Sequence, residues 1–550
     1  MTLTLLAGWM SLGCSPPDIR DVPGNLYWPD PYAQICEDRS VARLEGHLIA
    51  APHVEDFVGL ECLTVIGGDL YVRQTEGLEG LEGLEGLHTI GGSLDLDYNQ
   101  ALSDLSALDG VTSIGDMLSL VQNPALTVAA LEGVERVGTS VVVADNPQLS
   151  DLQLPALRSI AREGLYLLEN PQLEDVAGLN ALSEVPNVYI SENENLRGIS
   201  GLSELPPRVN MLLDRSYQLR SLDGLRGLQS AGELALKRLD LVTLQDLASL
   251  ESAQELVLEQ LPSLTSLTGL SALSSLNELE LRELPELEML DGLEGLHSLE
   301  RLAVADNPSL RSLSGLQGLQ EVDSLLIIRN PGLRSLTGLE ALERVHHFHL
   351  SEVDGLTDLY GLSGLHELEI LIVHESASLT SLAGLSPPKV LRDLELVGNP
   401  SLRSLDGMEH LQELYTLTLV RLPSLRSIEE LGALTQVSTL MITDNLRLGS
   451  LSGLEGLEAM QQITLRDLPG LTDLEGLSGL RELYDLTITN NTALSDLSHL
   501  SSLKYVYGTL TIRDNPALPQ AEINALVARI GEENITRLII EDNGLGIEGG

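Results

Sequence analysis

A 23-residue period constrains this chain more than any other feature. In the segment LERLAVADNPSLRSLSGLQGLQEV (Leu299 to Val322), Leu302 and Val304 alternate and Asn307-Pro308 follows. Leu310, Leu313, Leu316, Leu319 and Val322 then recur at every third residue. The next copy repeats the pattern at Leu325, Ile327, Asn330-Pro331, Leu333, Leu336, Leu339, Leu342 and Val345, 23 residues further on. A unit this short cannot bury its own leucines and must stack on copies of itself. Counted at the asparagine slot, the register runs through Thr75, Asn99, Asn123, Asn146, Asn170, Asn193, Ser216, Leu239, Leu261, Leu284, Asn307, Asn330, Val353, Ser376, Asn399, Leu422, Asn445, Leu468, Asn491 and Asn515 in steps of 22 to 24, with Asn543 in a looser last copy. So little drift leaves no room for a separate domain inside the array, and residues 47–518 are read as one repeat solenoid.

The residues within a period define the coil. Positions five and three before the slot are apolar while their neighbours vary, which is strand alternation. After the slot the apolar step is three rather than 3.6, which argues for extended or 3₁₀-like segments and against an α-helix behind each strand. Gly315, Gly338, Gly453 and Gly476 stand just before a leucine and suit tight corners with positive φ. Where the chain leaves the strand, inward backbone groups need partners. A stacked asparagine supplies both donor and acceptor, so Asn99, Asn123, Asn146, Asn170, Asn193, Asn307, Asn330, Asn399, Asn445, Asn491 and Asn515 are expected to form a structural ladder. Leucine at 261, 284, 422 and 468 interrupts it.

Outside the array, residues 15–35 are rich in proline and turn formers and read as a surface tether. Residues 36–46 are expected to form a short N-terminal capping helix with Val41 and Leu44 on its apolar side, and the first strand is placed at 47–50. Residues 519–550 read as a C-terminal cap: Ile523, Leu526, Val527 and Ile530 share one face of an amphipathic helix, followed by a last strand over 536–541.

The formal charge of −49 disfavours nucleic acid as a partner, because phosphates repel such a surface. Residues 1–14 carry an apolar run, Leu3 to Leu12, too short to span a bilayer and similar to a signal-peptide core. Leu12-Gly13-Cys14 resembles the end of a bacterial lipobox, which would make Cys14 a lipidation site. The remaining cysteines, Cys36 and Cys62, are expected to pair as a disulfide in an exported chain. No other apolar run reaches about 18 residues, so contact with a membrane is expected only through an N-terminal lipid anchor.

The stretch Cys62-Leu-Thr-Val-Ile66-Gly67-Gly-Asp-Leu70-Tyr-Val72 and recurring pieces such as Thr89-Ile90-Gly91-Gly92-Ser93-Leu94-Asp95-Leu96 resemble the receptor L domain, the right-handed β-helix module of insulin-receptor and epidermal-growth-factor-receptor ectodomains, and its microbial surface relatives. The pattern is also close to ordinary leucine-rich repeats. The resemblance implies a mainly β fold: a single long right-handed β-solenoid, L-domain- and leucine-rich-repeat-like, with short capping helices at both ends.

Positions four and two before the slot should project from the parallel sheet. There Tyr71, Val142, Tyr166, Leu168, Tyr189 and Leu212 form an aromatic and aliphatic surface of the kind that holds protein or carbohydrate ligands. His347, His349 and His374 lie close enough in register to invite comparison with a metal site, but nothing completes a ligand set, and they read as a surface cluster. Asp95, Asp97 and Asp104 form a cluster that would suit weak calcium binding, with diffuse solvated charge as the default reading. The chain carries no G-x-S-x-G elbow, P-loop, H-E-x-x-H or zinc-type cysteine pairs, so no catalytic residues, cofactor or metal is expected. The expected function is that of an exported protein, an outer membrane lipoprotein or cell-surface protein, binding an unidentified protein or carbohydrate ligand along its sheet face. The alternative is a structural envelope protein without a discrete ligand.

Overall fold

The computed structural model describes residues 19–29, 36, 41–386 and 389–544. The chain is mainly β, a parallel β-solenoid with turns of about 23 residues, and it divides into two compact units, Met1–Glu255 and Leu256–Gly550.

In the first unit the early coils contribute two short strands each. One ladder runs through Ile19–Val22, Val41–Leu44, Leu63–Ile66, Thr89–Ile90, Ser113–Ile114, Arg136–Val137 and Ser159–Ile160. The other includes Leu48–Ala50, Leu70–Tyr71, Leu94–Asp95, Leu118–Val121, Ser140–Ala144, Gly164–Leu168, Asn187–Ser191 and Val209–Asp214, all parallel. Stacked Ile-Gly corners join the two ladders. The Gly91 N–H donates to the Ile66 carbonyl at 2.7 Å and the Gly115 N–H to the Ile90 carbonyl at 2.9 Å. A Cβ on Gly115 would lie 1.9 Å from the Gly91 oxygen, so coils in this corner approach too closely for a side chain.

In the second unit the two strands of a coil fuse into one of eight residues, such as Ser298–Ala305, Glu321–Ile328 and Glu413–Val420. Ser298 and Leu299 pair with Glu321 and Val322, and pairing resumes at Arg301 with Ser324. The skipped residues, Glu300 and Asp323, mark a bend at which the outward positions change sides. Leu299, Leu302 and Val304 all point into the core. Each such leucine contributes about 1.5–3 kcal/mol by leaving water.

The three-residue step behind the strand has a direct cause. The Leu316 N–H donates to Leu313 at 3.2 Å and the Leu319 N–H to Leu316 at 3.0 Å, both 3₁₀-type bonds. In several coils these turns become short 3₁₀ helices, including Thr268–Leu270, Glu429–Leu431 and Glu475–Leu477. Gly315, Gly338 and Gly453 adopt φ of +111°, as their corner positions require. Gly476 lies inside a 3₁₀ helix instead and is glycine for space alone, since a Cβ there would meet the Leu451 oxygen at 1.8 Å.

These corners also give a function to charge that reads as diffuse in the sequence. The N–H of Gly338 donates to Glu340 at 2.8 Å and that of Gly453 to Glu455 at 2.9 Å. Gly83 with Glu85 and Gly292 with Glu294 repeat the bond at 3.0 Å. Many glutamates of the Gly-Leu-Glu pattern therefore cap the turn they follow.

Three expectations about the ends are corrected. Among the described residues no N-terminal capping helix is present: Val41–Leu44 is a strand, with Ala42 and Leu44 buried and Arg43 exposed. Alternation wins there because this segment pairs on one side with Ile19–Val22 and on the other with Leu63–Ile66. The stretch assigned to a tether accordingly supplies the strands Ile19–Val22 and Leu26–Trp28, and Leu26 and Trp28 are buried. The coils thus begin before residue 47. At the other end the helix forms as expected, Gln520–Ile530, with Ile523, Leu526, Val527 and Ile530 buried. The strand Ile535–Glu541 then pairs with Tyr505–Arg513.

Candidate ligand-binding surfaces

The asparagine slot produces a ladder of polar side chains inside the coils. In the first unit Asn123 offers Oδ1 to the Asn99 N–H at 3.1 Å, and its Nδ2 donates to the Leu96 carbonyl at 2.8 Å. Asn146 and Asn170 continue the chain of contacts to Asn193, and all are fully buried. In the second unit Asn330 serves Asn307, Asn399 serves Ser376, and Asn515 serves Asn491 in the same way. Asn445 serves Leu422, which has no polar side chain of its own to pass the bond on. The interior polar groups satisfied in this way hold neighbouring coils in register and so set the spacing of the outward strand positions.

One outward column of the first unit runs in register through Tyr71, Asp95, Ser119, Val142, Tyr166, Tyr189 and Leu212. Leu168 occupies the neighbouring column, between Ala144 and Ser191. Tyr166 and Tyr189 stack with ring centroids 5.2 Å apart and an interplanar angle of 26°. Burial beneath its neighbours raises the Tyr166 hydroxyl above its ordinary pKa, with Tyr189 adding to the effect. The structure therefore brings Val142, Tyr166, Leu168, Tyr189 and Leu212 together as one half-buried patch.

Tyr71 stands apart from it. Its ring stacks on His47 at 6.0 Å, its hydroxyl donates to Asp69 at 2.9 Å, and the Arg73 guanidinium lies 5.7 Å from the ring centroid. Beyond it Arg73 pairs with the buried Asp95. Asp97 accepts from the Ser119 hydroxyl at 2.8 Å and the Val121 N–H at 3.0 Å. Burial, only partly offset by these bonds, pushes the Asp97 carboxyl up to about 6. This polar cluster, unlike the tyrosine patch, already satisfies most of its groups internally. Asp104 turns away to cap the Ser106 N–H at 2.9 Å.

In the second unit, His349 and His374 meet edge to face at 5.5 Å, and His374 Nε2 lies 3.0 Å from Glu395. Desolvation first, then His374, holds the His349 pKa below its usual value. His347 is exposed and His346 pairs with Asp323. Among the described residues no group of three or more histidine, cysteine or acidic side chains could hold a metal ion.

Sequence reasoning missed a second surface by looking only at positions four and two before the slot. Tyr415 and Tyr484 lie seven residues before their slots, at the bend of the long strands, and are 58% and 57% exposed. Tyr505 and Tyr507 stack at 5.7 Å on the last coil but one. The recurrence of tyrosine at that offset was the available signal.

Cys36 and Cys62 form the expected disulfide, with Cα atoms 5.5 Å apart. Cys14 lies outside the described residues. Among the described residues no helix is long and apolar enough to cross a membrane.

Residues 61–178 match the model of the Receptor L domain. No curated protein matches the chain. Among solved structures it is similar to the TLR13–ssRNA13 complex, with 15% identity, 90% of this chain and 91% of that chain covered, and a TM-score of 0.35. It is also similar to a leucine-rich repeat protein of Leptospira interrogans, with 15% identity, coverage of 85% and 95%, and a TM-score of 0.27. The repeat fold is one that commonly mediates ligand binding, and with its disulfide it suggests an extracellular protein. The Ile-Gly-Gly corners at Ile66 and Ile90 and the slots Asn99, Asn123, Asn146 and Asn170 lie within the matched region, and the fold is that of a receptor L-domain-like, leucine-rich-repeat-like solenoid.

Proposed function

We propose that this is an exported binding protein, held at the cell surface or on the outer membrane by a lipid on Cys14, that takes a protein or glycan ligand along its parallel sheet face. The observation that carries the reading is the Tyr166–Tyr189 stack on an outward column flanked by Val142, Leu168 and Leu212. Stacked aromatic rings with aliphatic neighbours give large contact area at small entropic cost. The ladder of buried asparagines beneath holds the strands in register, so the patch is preorganised. The proposal involves no turnover.

The test compares the wild-type protein with Tyr166→Ser/Leu168→Ser/Tyr189→Ser in capture from surface extracts and on a glycan array. Loss of a specific ligand in the variant, with an unchanged melting temperature, is the expected result. Undiminished capture rejects the patch, and the absence of any ligand favours a structural role in the envelope. Labelling with palmitate, and its loss in Cys14→Ala, checks the anchor separately.

A further inference from the structure

In the second unit the outward residues at the strand bends line an open groove of about 1530 Å³. Its lining is chemically one-sided. Glu369, Glu413, Glu458, Glu482 and Asp485 contribute five carboxylates, against the single guanidinium of Arg392. Between them stand Tyr415, Tyr484 and Tyr507, each more than half exposed at 58%, 57% and 52%. Exposed aromatic faces beside carboxylates form seats for cations, because ring and carboxylate both attract the same ammonium or guanidinium group.

We propose that this groove is a docking site for a cationic, extended polypeptide segment. The inference rests on the reading of this chain as a ligand-binding protein, but it uses none of the residues of the Tyr166–Tyr189 patch.

Charge complementarity selects this occupant. A chain with a formal charge of −49 draws basic partners from a distance. That long-range field is unspecific, whereas the groove adds aromatic seats at set positions, three coils apart from Tyr415 to Tyr484 and one from Tyr484 to Tyr507. Tyr415 and Tyr484 lie on strands Glu413–Val420 and Glu482–Thr489, three coils apart. At roughly 4.8 Å per coil the seats are about 14 Å apart, the length of about four extended residues. From the coil of Glu369 to that of Tyr507 there are six steps, about 29 Å, which accommodates a segment of about nine residues. Not all of the acids are equally free. Glu482 accepts from the Tyr507 hydroxyl at 2.9 Å and Glu458 lies 3.5 Å from Arg481. The strongest attraction is therefore expected at Glu369 and Glu413, both on exposed strand positions.

The test measures anisotropy of a fluorescein-labelled nine-residue oligolysine with the full chain at near-physiological ionic strength. Three proteins are compared: the wild type, the groove variant Glu369→Gln/Glu413→Gln/Tyr415→Ser/Tyr484→Ser, and a charge-matched control, Glu79→Gln/Glu82→Gln, in the first unit. The groove variant is expected to bind about tenfold or more weakly, and the control to stay within about twofold. Equal weakening in both variants would show attraction by overall charge alone and overturn the proposal, as would no weakening in either. Stronger binding of a neutral glucan oligosaccharide than of oligolysine, lost in the groove variant, would replace the peptide by a glycan and equally overturn it. Because the Tyr166 patch is intact in all three proteins, failure here leaves the test of the patch unaffected.

Discussion

The side-chain oxygen of Asn330 accepts the backbone N–H of Asn307, one coil earlier, at 3.0 Å, while its Nδ2 donates to the Val304 carbonyl at 2.8 Å. One side chain thus meets two buried backbone groups of the coil before it. Asn330→Ala is expected to cost about 1–3 kcal/mol, because both groups lose a partner. Asn330→Leu should cost less, since leucine fills the volume and already occupies the slots at Leu261 and Leu422. Thermal or urea unfolding checks the order, and an alanine variant as stable as the wild type would contradict the ladder.

Glycine at the back corners carries a second prediction. At Gly315 the φ of +111° and the Leu290 oxygen 2.1 Å from an added Cβ both exclude a side chain. Gly198 has nothing within 4 Å of the same position. Gly315→Ala is expected to lose about 1–3 kcal/mol, whereas Gly198→Ala is neutral or slightly stabilising. Equal melting temperatures for the two variants would refute the account of the corner.

A third prediction concerns pH. The Asp97 carboxyl sits at about 6 in the folded chain, above its ordinary value. Between about pH 4 and that value the folded state holds a proton that the unfolded state releases, so stability falls as pH rises through this window. Asp97→Asn keeps an acceptor for Ser119 and Val121 but carries no charge. The variant should melt above the wild type at neutral pH, with the gap closing toward about pH 4. Melting curves at the two pH values settle it, and a gap of constant size would exclude the titration of Asp97 as its cause.

Much of this architecture is legible in the sequence because the determinants are local and repeated. The asparagine slots, the strand alternation and the step of three each recur in coil after coil, so noise at one coil is corrected by its neighbours. The disulfide and the C-terminal helix are likewise readable from Cys36, Cys62 and the Ile523–Ile530 spacing. The misreadings fall where a segment is seen once. Val41 and Leu44 satisfy a helical spacing, but pairing on both sides makes the segment a strand. Prolines around Leu26 and Trp28 suggest a tether, although those two side chains are buried. Some backbone features carry no mark in composition. The residue before each slot, Asp306 at φ 60° and Arg329 at φ 51° among them, is left-handed although it is seldom glycine. The bend of the long strands, which turns Tyr415 and Tyr484 outward, depends on a skipped pairing that only the neighbouring coils impose.

The most direct measurement is photocrosslinking from chosen positions on the full-length protein. Benzoylphenylalanine would replace Tyr189 on the sheet face of the first unit, Tyr415 in the groove of the second, and Glu132 and Glu475 on the backs of coils. Adducts to a ligand from position 189 or 415, and none from 132 or 475, are the outcome expected if outward strand positions carry recognition. Adducts from the back positions alone, or equally from all four, would contradict it.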